Sequence, residues 1–418
     1  MDLAGQVSPV TPVGGDTRPR LEGSVPPRTY RDDMRLLHTS DWHLGRSFHR
    51  EDLLGAQAQF IDFLVETVVV AQVDVVVVSG DIYDRALPSV DAVSLCNEAL
   101  RRLADTGART VLISGNHDSA RRLGFGADLI DAAGIHLRTD PARVARPVLL
   151  DDPDGPVAVY AFPYLEPDAV RAELLGDDDG DRGHTAVLRA AMGRVHDDLA
   201  GRGATRSVVL AHAFVAGGEA SDSERDISVG GVSVVPASVF DGVDYTALGH
   251  LHGAQAINER VRYSGSPIAY SFGEEHQHKA VLLVDLPPTT GGAVRVASVA
   301  APVHRPLTRI RGAIDDLLTG GRWADVAGHY LQITLTDPQR PREAMSRLRS
   351  RFPHTLVLGF EPEGAERDDA SYVARLRGRS DLEVATDFVA HVRGDADVAE
   401  RALLGRALES TRASERAG

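Results

Sequence analysis

Five times along the chain a short apolar run breaks off into a cluster of polar side chains: RLLHTSDWH, VDVVVVSGDIYD, RTVLISGNHD, SVVLAHA and VDYTALGHLH. The apolar parts are brief and rich in β-branched residues, so each reads as a buried strand. Amphipathic stretches such as AQAQFIDFLVETVVVAQ and VDAVSLCNEALRRL lie between them, and the alternation over residues 34–303 predicts an α/β domain. In the second stretch Val93, Cys96, Leu100 and Leu103 fall on one stripe, which puts Cys96 in the core.

The pattern changes after PPTTGG and APVHRP. HYLQITLTD reads as a strand, PREAMSRLRSRF as a helix with proline at its start and TLVLGFEPE as a second strand, a small α+β unit over 304–364. A polar linker, GAERDDASY, opens the segment 365–418. Leu382, Ala385, Val389 and Val392 then share one face of a predicted helix, and DVAERALLGRALES supplies another. Residues 1–33 carry five prolines and four glycines without apolar periodicity and read as a disordered leader, with Met34 an alternative start.

At 418 residues the chain is too long for one ordinary core, and 43% hydrophobic with 25% charged residues suits a globular protein. One cysteine excludes an internal disulfide. No secretory or membrane-length apolar run occurs, so no membrane partner and a cytoplasmic location are expected. The net charge of −15 weighs against a phosphate-binding face unless bound cations intervene; the acidic run LGDDDGDRG reads as a solvated loop. Lys279, the only lysine, follows His278 and belongs to no Walker A loop. The chain is therefore expected to bind no nucleotide, and any ATP-driven step belongs to another subunit.

Ligands in open α/β sheets collect beyond the carboxyl ends of strands, so the five clusters can converge. Together they offer Asp41, His43, Asp81, Asn116, His117, His212, His250 and His252. Carboxylate, imidazole and amide donors suit Mn²⁺, Mg²⁺, Fe²⁺ or Zn²⁺. A bridging carboxylate would hold two ions about 3.5–4 Å apart, the spacing for in-line attack on phosphorus. Gly80, Gly115 and Gly249 let the backbone pass close by.

The ordered series DxH, GDxxD, GNHD, a lone histidine and GHxH resembles the calcineurin-like metallophosphoesterases. HTSDWHLGR, GDIYD, SGNHDSARRLGFG, HAFVAGGEASDSERDISVGG and YTALGHLHGAQ are similar to the SbcD-type nuclease subunits of bacterial SbcCD complexes, and the similarity continues to the C-terminal helices. The resemblance implies a metallophosphoesterase β-sandwich flanked by helices, a small α+β capping domain, and C-terminal helices that bind an SbcC-like coiled-coil ATPase. It further implies one metal on Asp41, His43, Asp81 and His252 and another on Asp81, Asn116, His212 and His250, with Mn²⁺ expected. The nucleophile expected from it is a water activated by both ions. His117 would stabilise the phosphate or protonate the departing oxygen, oriented by Asp118.

The implied substrate is DNA, cut as a 3′ to 5′ double-strand exonuclease and a single-strand and hairpin endonuclease. The implied assembly is a homodimer within a heterotetramer. Arg121 and Arg122 are candidate phosphate contacts, set against a solvated first helical turn. Trp42 is expected to pack beside the loop, set against stacking on a base, and His49 to serve the surface or a helix cap, set against ligation; Asp84 stands where archaeal relatives carry a histidine, so that histidine's role does not carry over. The rival reading is a free-standing phosphodiesterase acting on a small phosphoester. A non-catalytic scaffold would lack ligands, and none is missing.

Overall fold

The computed structural model describes Arg28 and residues 33–176, 183–224, 234–363 and 379–415. The expected leader up to residue 32 (Arg28 apart), residues 177–182 of the acidic run, residues 225–233 with the end of HAFVAGGEASDSERDISVGG, and residues 364–378 with the linker GAERDDASY lie outside the described residues. The strands of the first unit are β1 (Arg35–Thr39), β2 (Ser47–Phe48), β3 (Glu51–Asp52), β4 (Val75–Ser79), β5 (Arg109–Ile113), β6 (Ile135–Arg138) and β7 (Val148–Asp152). They continue with β8 (Gly155–Ala161), β9 (Arg206–His212), β10 (Tyr245–Gly249), β11 (Gln255–Ala256), β12 (Val261–Tyr263), β13 (Ala280–Asp285) and β14 (Arg295–Ala300).

Two six-stranded sheets result, in the orders β14-β13-β1-β4-β5-β6 and β11-β12-β10-β9-β8-β7. Pairings β1–β4, β4–β5 and β5–β6 are parallel in the first, as are β8–β9, β9–β10 and β10–β12 in the second. The outer pairs β1–β13, β13–β14, β7–β8 and β11–β12 are antiparallel. All residues of β1, β4, β9 and β10 are buried, as expected of strands covered on both faces.

The strand period of two decides what covers each face. Leu36, Val75, Val77 and Val111 of the first sheet meet Val159, Val208, Leu210 and Ala247 of the second, forming a core between the sheets. Leu37, Val76, Val78 and Leu112 point the other way, onto Phe60, Leu64 and Val68 of helix Leu54–Val70 and Cys96 of helix Val90–Asp105. On the far side, Tyr160, Val209 and Ala211 pack against Val187, Ala191 and Val195 of helix His184–Ala200. The architecture is the α/β, helix-flanked β-sandwich of the calcineurin-like fold.

Cys96 is buried, but its stripe differs from the expected one. Ala92, Cys96, Ala99 and Leu103 form it, while Val93 is 45% exposed and Leu100 half-buried. Two alanines at the contact let the helix sit close, which a search for large apolar residues overlooks. Burial pushes the Cys96 thiol up to about 11, so it is an inert packing group.

The second compact unit runs from Thr308. Its sheet has the order β15 (Leu307–Gly312), β16 (Tyr330–Leu335), β17 (Thr355–Phe360), and β16 and β17 pair in parallel. Ile310, Ile314, Leu317, Leu331, Ile333, Leu348 and Phe352 form its core. The two predicted strands and the helix are present, the helix as Ala344–Arg351, with Pro341 left in the preceding turn. β15 and helix Ile314–Thr319 have no counterpart in the sequence reading, because Ile310 alone is buried in LTRIRG. Helices Asp381–Arg393 and Val398–Glu415 follow, the first closed by a Ser380/Glu383 capping box. Among the described residues no helix is long and apolar enough to cross a membrane.

Candidate metal centre

The five polar clusters do meet. Those after β1, β4 and β5 come from one sheet and those after β9 and β10 from the other. Below them His38 bridges the sheets, its Nδ1 3.0 Å from the Tyr245 hydroxyl and its Nε2 3.1 Å from the Leu248 carbonyl. Complete burial lowers this histidine to about 3, so it is a neutral clamp.

The loops that carry the clusters are strained where the chemistry sits. Asp41, His43, Asp81 and His250 all have positive φ, at 54°, 44°, 50° and 107°. Such backbone persists only when its surroundings over-determine it. Here Asp41 N–H donates to Gly80 O (3.0 Å), His43 N–H to Asp81 O (2.9 Å) and His117 N–H to Asp81 Oδ1 (2.9 Å). Close approach explains two glycines. A Cβ on Gly115 would lie 2.1 Å from Asp81 Oδ1, and one on Gly249 would lie 1.9 Å from Ser79 O.

Three overlapping sets of ligand atoms gather within 4.8 Å: Asp41, His43 and His252; His43, Asp81 and His117; Asp41, Asp81 and His212. His43 Nε2 stands 3.1 Å from His252 Nε2, and His212 Nε2 stands 2.8 Å from Asn116 Oδ1 and 3.5 Å from Asp81 Oδ2. His250 enters none of the three sets; its ring lies 5.3 Å from that of His212, and its N–H donates to Asp41 at 3.1 Å.

The donors fit divalent cations. Asp41 and Asp81 are buried and, among the described residues, neither forms an ion pair with a lysine or arginine. Burial, then the Asp81 charge, pushes Asp41 well above the usual carboxylate range. Burial also holds His43, His212 and His250 below the ordinary imidazole range, which leaves them neutral, the ligating form. A neutral His212 ring can donate to one oxygen only, yet it faces Ser79 O at 2.9 Å and Asn116 Oδ1 at 2.8 Å. With its proton on Nδ1 towards Ser79 O, its Nε2 lone pair is the one left to ligate a cation beside the Asn116 amide.

One expected role is corrected. Asp118 does not orient His117, because its oxygens accept the N–H groups of Ile82 (3.0 Å), Tyr83 (2.9 Å) and Gly115 (2.9 Å). It ties the loop after β4 to the loop after β5. His117 is held instead by the main-chain carbonyl of Asp84, 2.8 Å from its Nδ1. Arg121 and Arg122 are exposed, and Arg122 reaches back to Ala86 O at 2.9 Å. Trp42 is fully buried, edge-on to Phe60 with its N–H on Thr39 Oγ1, and His49 is a surface residue beside Phe48 and Phe272.

Sequence reasoning missed the shell behind the ligands. Glu274 and Lys279 are buried behind His252, Glu224 Oε1 accepts the His252 N–H at 2.8 Å, and Gln57 Nε2 donates to His43 O at 2.7 Å. The signals available were the lone lysine and the stretch HAFVAGGEASDSERDISVGG, which holds Glu224.

Residues 34–254 match the family model of the calcineurin-like phosphoesterases, more than half of the chain. The chain belongs to the calcineurin-like phosphoesterase family. It is accordingly a metal-dependent phosphoester hydrolase, and its buried histidine and aspartate clusters fit two divalent metals. Residues 303–393 match a second model, SbcD_C, described as the type 5 capsule protein repressor C-terminal domain. Among solved structures, TT1561 of Thermus thermophilus is similar at 12% identity, over 64% of this chain and 99% of that one, with a TM-score of 0.36. A dimetal phosphatase from Danio rerio is similar at 13% identity, over 65% and 100%, also with a TM-score of 0.36.

Proposed function

We propose that this phosphoesterase is the DNA nuclease subunit of an SbcCD-like complex that works in DNA repair and recombination. The observation that carries the reading is the union, in one chain, of this metal centre and a C-terminal segment similar to the SbcD_C model. Small-phosphoester hydrolysis has little need for an appended α+β unit and a helix pair that leaves Phe388, Val392, Val398 and Leu403 more than half exposed. A subunit that docks on a coiled-coil ATPase does need them.

Asp41, His43, Asp81 and His252 would hold one ion and Asp81, Asn116, His212 and His250 the other, with Mn²⁺ the expected metal. Bound divalent ions polarise the phosphoryl oxygen and lower the pKa of water. With His117 Nδ1–H held on a carbonyl, Nε2 carries a proton only in the imidazolium form, which would pass it to the departing oxygen and return to the neutral ring. Arg121 and Arg122 would meet DNA phosphates. Two copies would pair within a cytoplasmic heterotetramer, and the ATPase would supply the hydrolysis that a chain without a Walker A loop does not perform.

The test offers purified protein with Mn²⁺ a DNA hairpin in one tube and a chromogenic phosphodiester in another. Hairpin cleavage that stops in excess chelator is the expected result. Turnover of the small diester with intact hairpin would favour the free-standing phosphodiesterase, and undiminished cleavage in chelator would remove the two-metal account.

A further inference from the structure

A line of buried and half-buried polar groups outside the ligand motifs ends on His252. Ser223 Oγ lies 2.6 Å from His252 Nδ1 and 2.5 Å from Glu274 Oε1. Glu274 Oε2 pairs with Lys279 Nζ at 2.5 Å. The ammonium is further shared among His252 O (2.8 Å), Ser266 Oγ (2.9 Å) and Gln277 Oε1 (2.8 Å). Of the 45 lysines and arginines in the chain, this is the one lysine. A compact ammonium can reach several oxygens in a small space, where a planar guanidinium fork would not fit the same partners.

The direction of each hydrogen bond follows from the charges. Paired with an ammonium, Glu274 is a carboxylate and can only accept. Ser223 Oγ also lies 3.2 Å from Ser221 Oγ, whose own proton goes to Glu224 Oε2 at 2.6 Å; the single Ser223 hydroxyl proton points to the nearer, charged Glu274 oxygen, which leaves Ser223 Oγ as an acceptor towards the ring. His252 must therefore carry its proton on Nδ1, and Nε2 presents a lone pair to the space shared with His43 Nε2, 3.1 Å away. We propose that Glu274, held by Lys279 and acting through Ser223, is a positioning residue that locks His252 in the tautomer able to ligate a cation. The inference rests on the metal-centre reading above. Partners behind a ligating histidine fix its tautomer, and losing one costs about 10–100-fold in metal affinity.

Glu274→Gln makes a sharp test. The new amide must turn its oxygen towards Lys279, which puts its NH₂ on Ser223. The Ser223 hydroxyl, keeping its proton, then donates to the His252 Nδ1 lone pair, and the one ring proton sits on Nε2. Ser223→Ala is gentler, because Glu274 Oε1 lies 3.4 Å from Nδ1 and can accept from it directly.

Metal-free full-length protein carrying ¹⁵N-labelled histidine is examined by long-range proton–nitrogen correlation. The His252 signal is assigned by its loss in His252→Asn, and each variant is then titrated with Mn²⁺ alone. The wild type and Ser223→Ala should show His252 protonated at Nδ1. Glu274→Gln should show it at Nε2 and bind one of its two Mn²⁺ ions about 10–100-fold more weakly. An unchanged tautomer with unchanged affinity in Glu274→Gln overturns the proposal. If that variant fails to fold by circular dichroism, the wild-type tautomer decides: Nδ1–H supports the relay and Nε2–H overturns it. A wild type that binds no Mn²⁺ overturns the metal centre itself, whereas one that binds two ions with His252 protonated at Nε2 overturns the relay alone.

Discussion

Asp81 belongs to two of the three gathered ligand sets, and its two oxygens face different neighbours, His117 N–H on one and His212 and His43 on the other. Asp81→Asn should therefore abolish binding of both ions, while Asn116→Ala, which removes only the amide oxygen beside His212, should weaken chiefly one. Elemental analysis of the two purified variants checks the pair, and two ions retained in Asp81→Asn would contradict it. His117 poses the opposite case, since its Nε2 lies 3.9 Å from Asp81 Oδ2, within the gathered set, yet its proposed work is on the phosphate. His117→Ala should lower kcat by about 10²–10⁴-fold with two ions still bound; loss of an ion would make His117 a ligand. These residues were legible because each stands directly after a strand, in a short polar run that the apolar pattern brackets. Asp118 and Glu274 were not: what an acid accepts from depends on which backbone N–H or ammonium the fold delivers, and two of the three N–H groups on Asp118 come from a different strand's loop.

At the scale of elements, the strand ends work as a frame only while adjacent loops can touch. The loops after β4 and β5 are so close that Gly115 has no room for a side chain, with Asp81 Oδ1, N and Cγ all within 2.7 Å of a Cβ built there. Backbone lies among those atoms, so Gly115→Ala forces a loop to move. Overpacking of this kind costs about 1–3 kcal/mol. The variant should melt at a lower temperature than the wild type and bind Mn²⁺ more weakly at both sites, because Asp81 is what moves. A variant with unchanged melting and binding would show that the loop yields freely. The sequence pattern revealed the buried strands of both sheets through their length and β-branched content. It failed where burial is one-sided or the contact is made by small residues, as in β15 and in the Ala92–Ala99 face of helix Val90–Asp105.

For the whole molecule the difficulty is charge. Under the proposed function a chain of net −15 meets a polyanion and must lower the repulsion locally, and the carboxylates that deepen the negative charge are the ones suited to hold cations. The second unit raises a different question, because its terminal helices keep Leu382, Phe388, Val392, Val398 and Leu403 between 39% and 86% exposed. Of the predicted stripe, Ala385 and Val389 are half-buried while Leu382 and Val392 stay open, so these helices bury part of their apolar surface and leave part uncovered. Under the proposed function that remainder is what meets the coiled-coil ATPase. A chain ended near Gly364 lacks the helices but keeps every candidate ligand and the β15–β17 sheet. It should retain its Mn²⁺ and cleave simple single-stranded DNA, yet lose both co-purification with the ATPase and any stimulation by ATP. Unchanged affinity for the ATPase would place the docking surface elsewhere in the chain. Unfolding of the shortened chain, read by circular dichroism, would instead assign the helices to its own core.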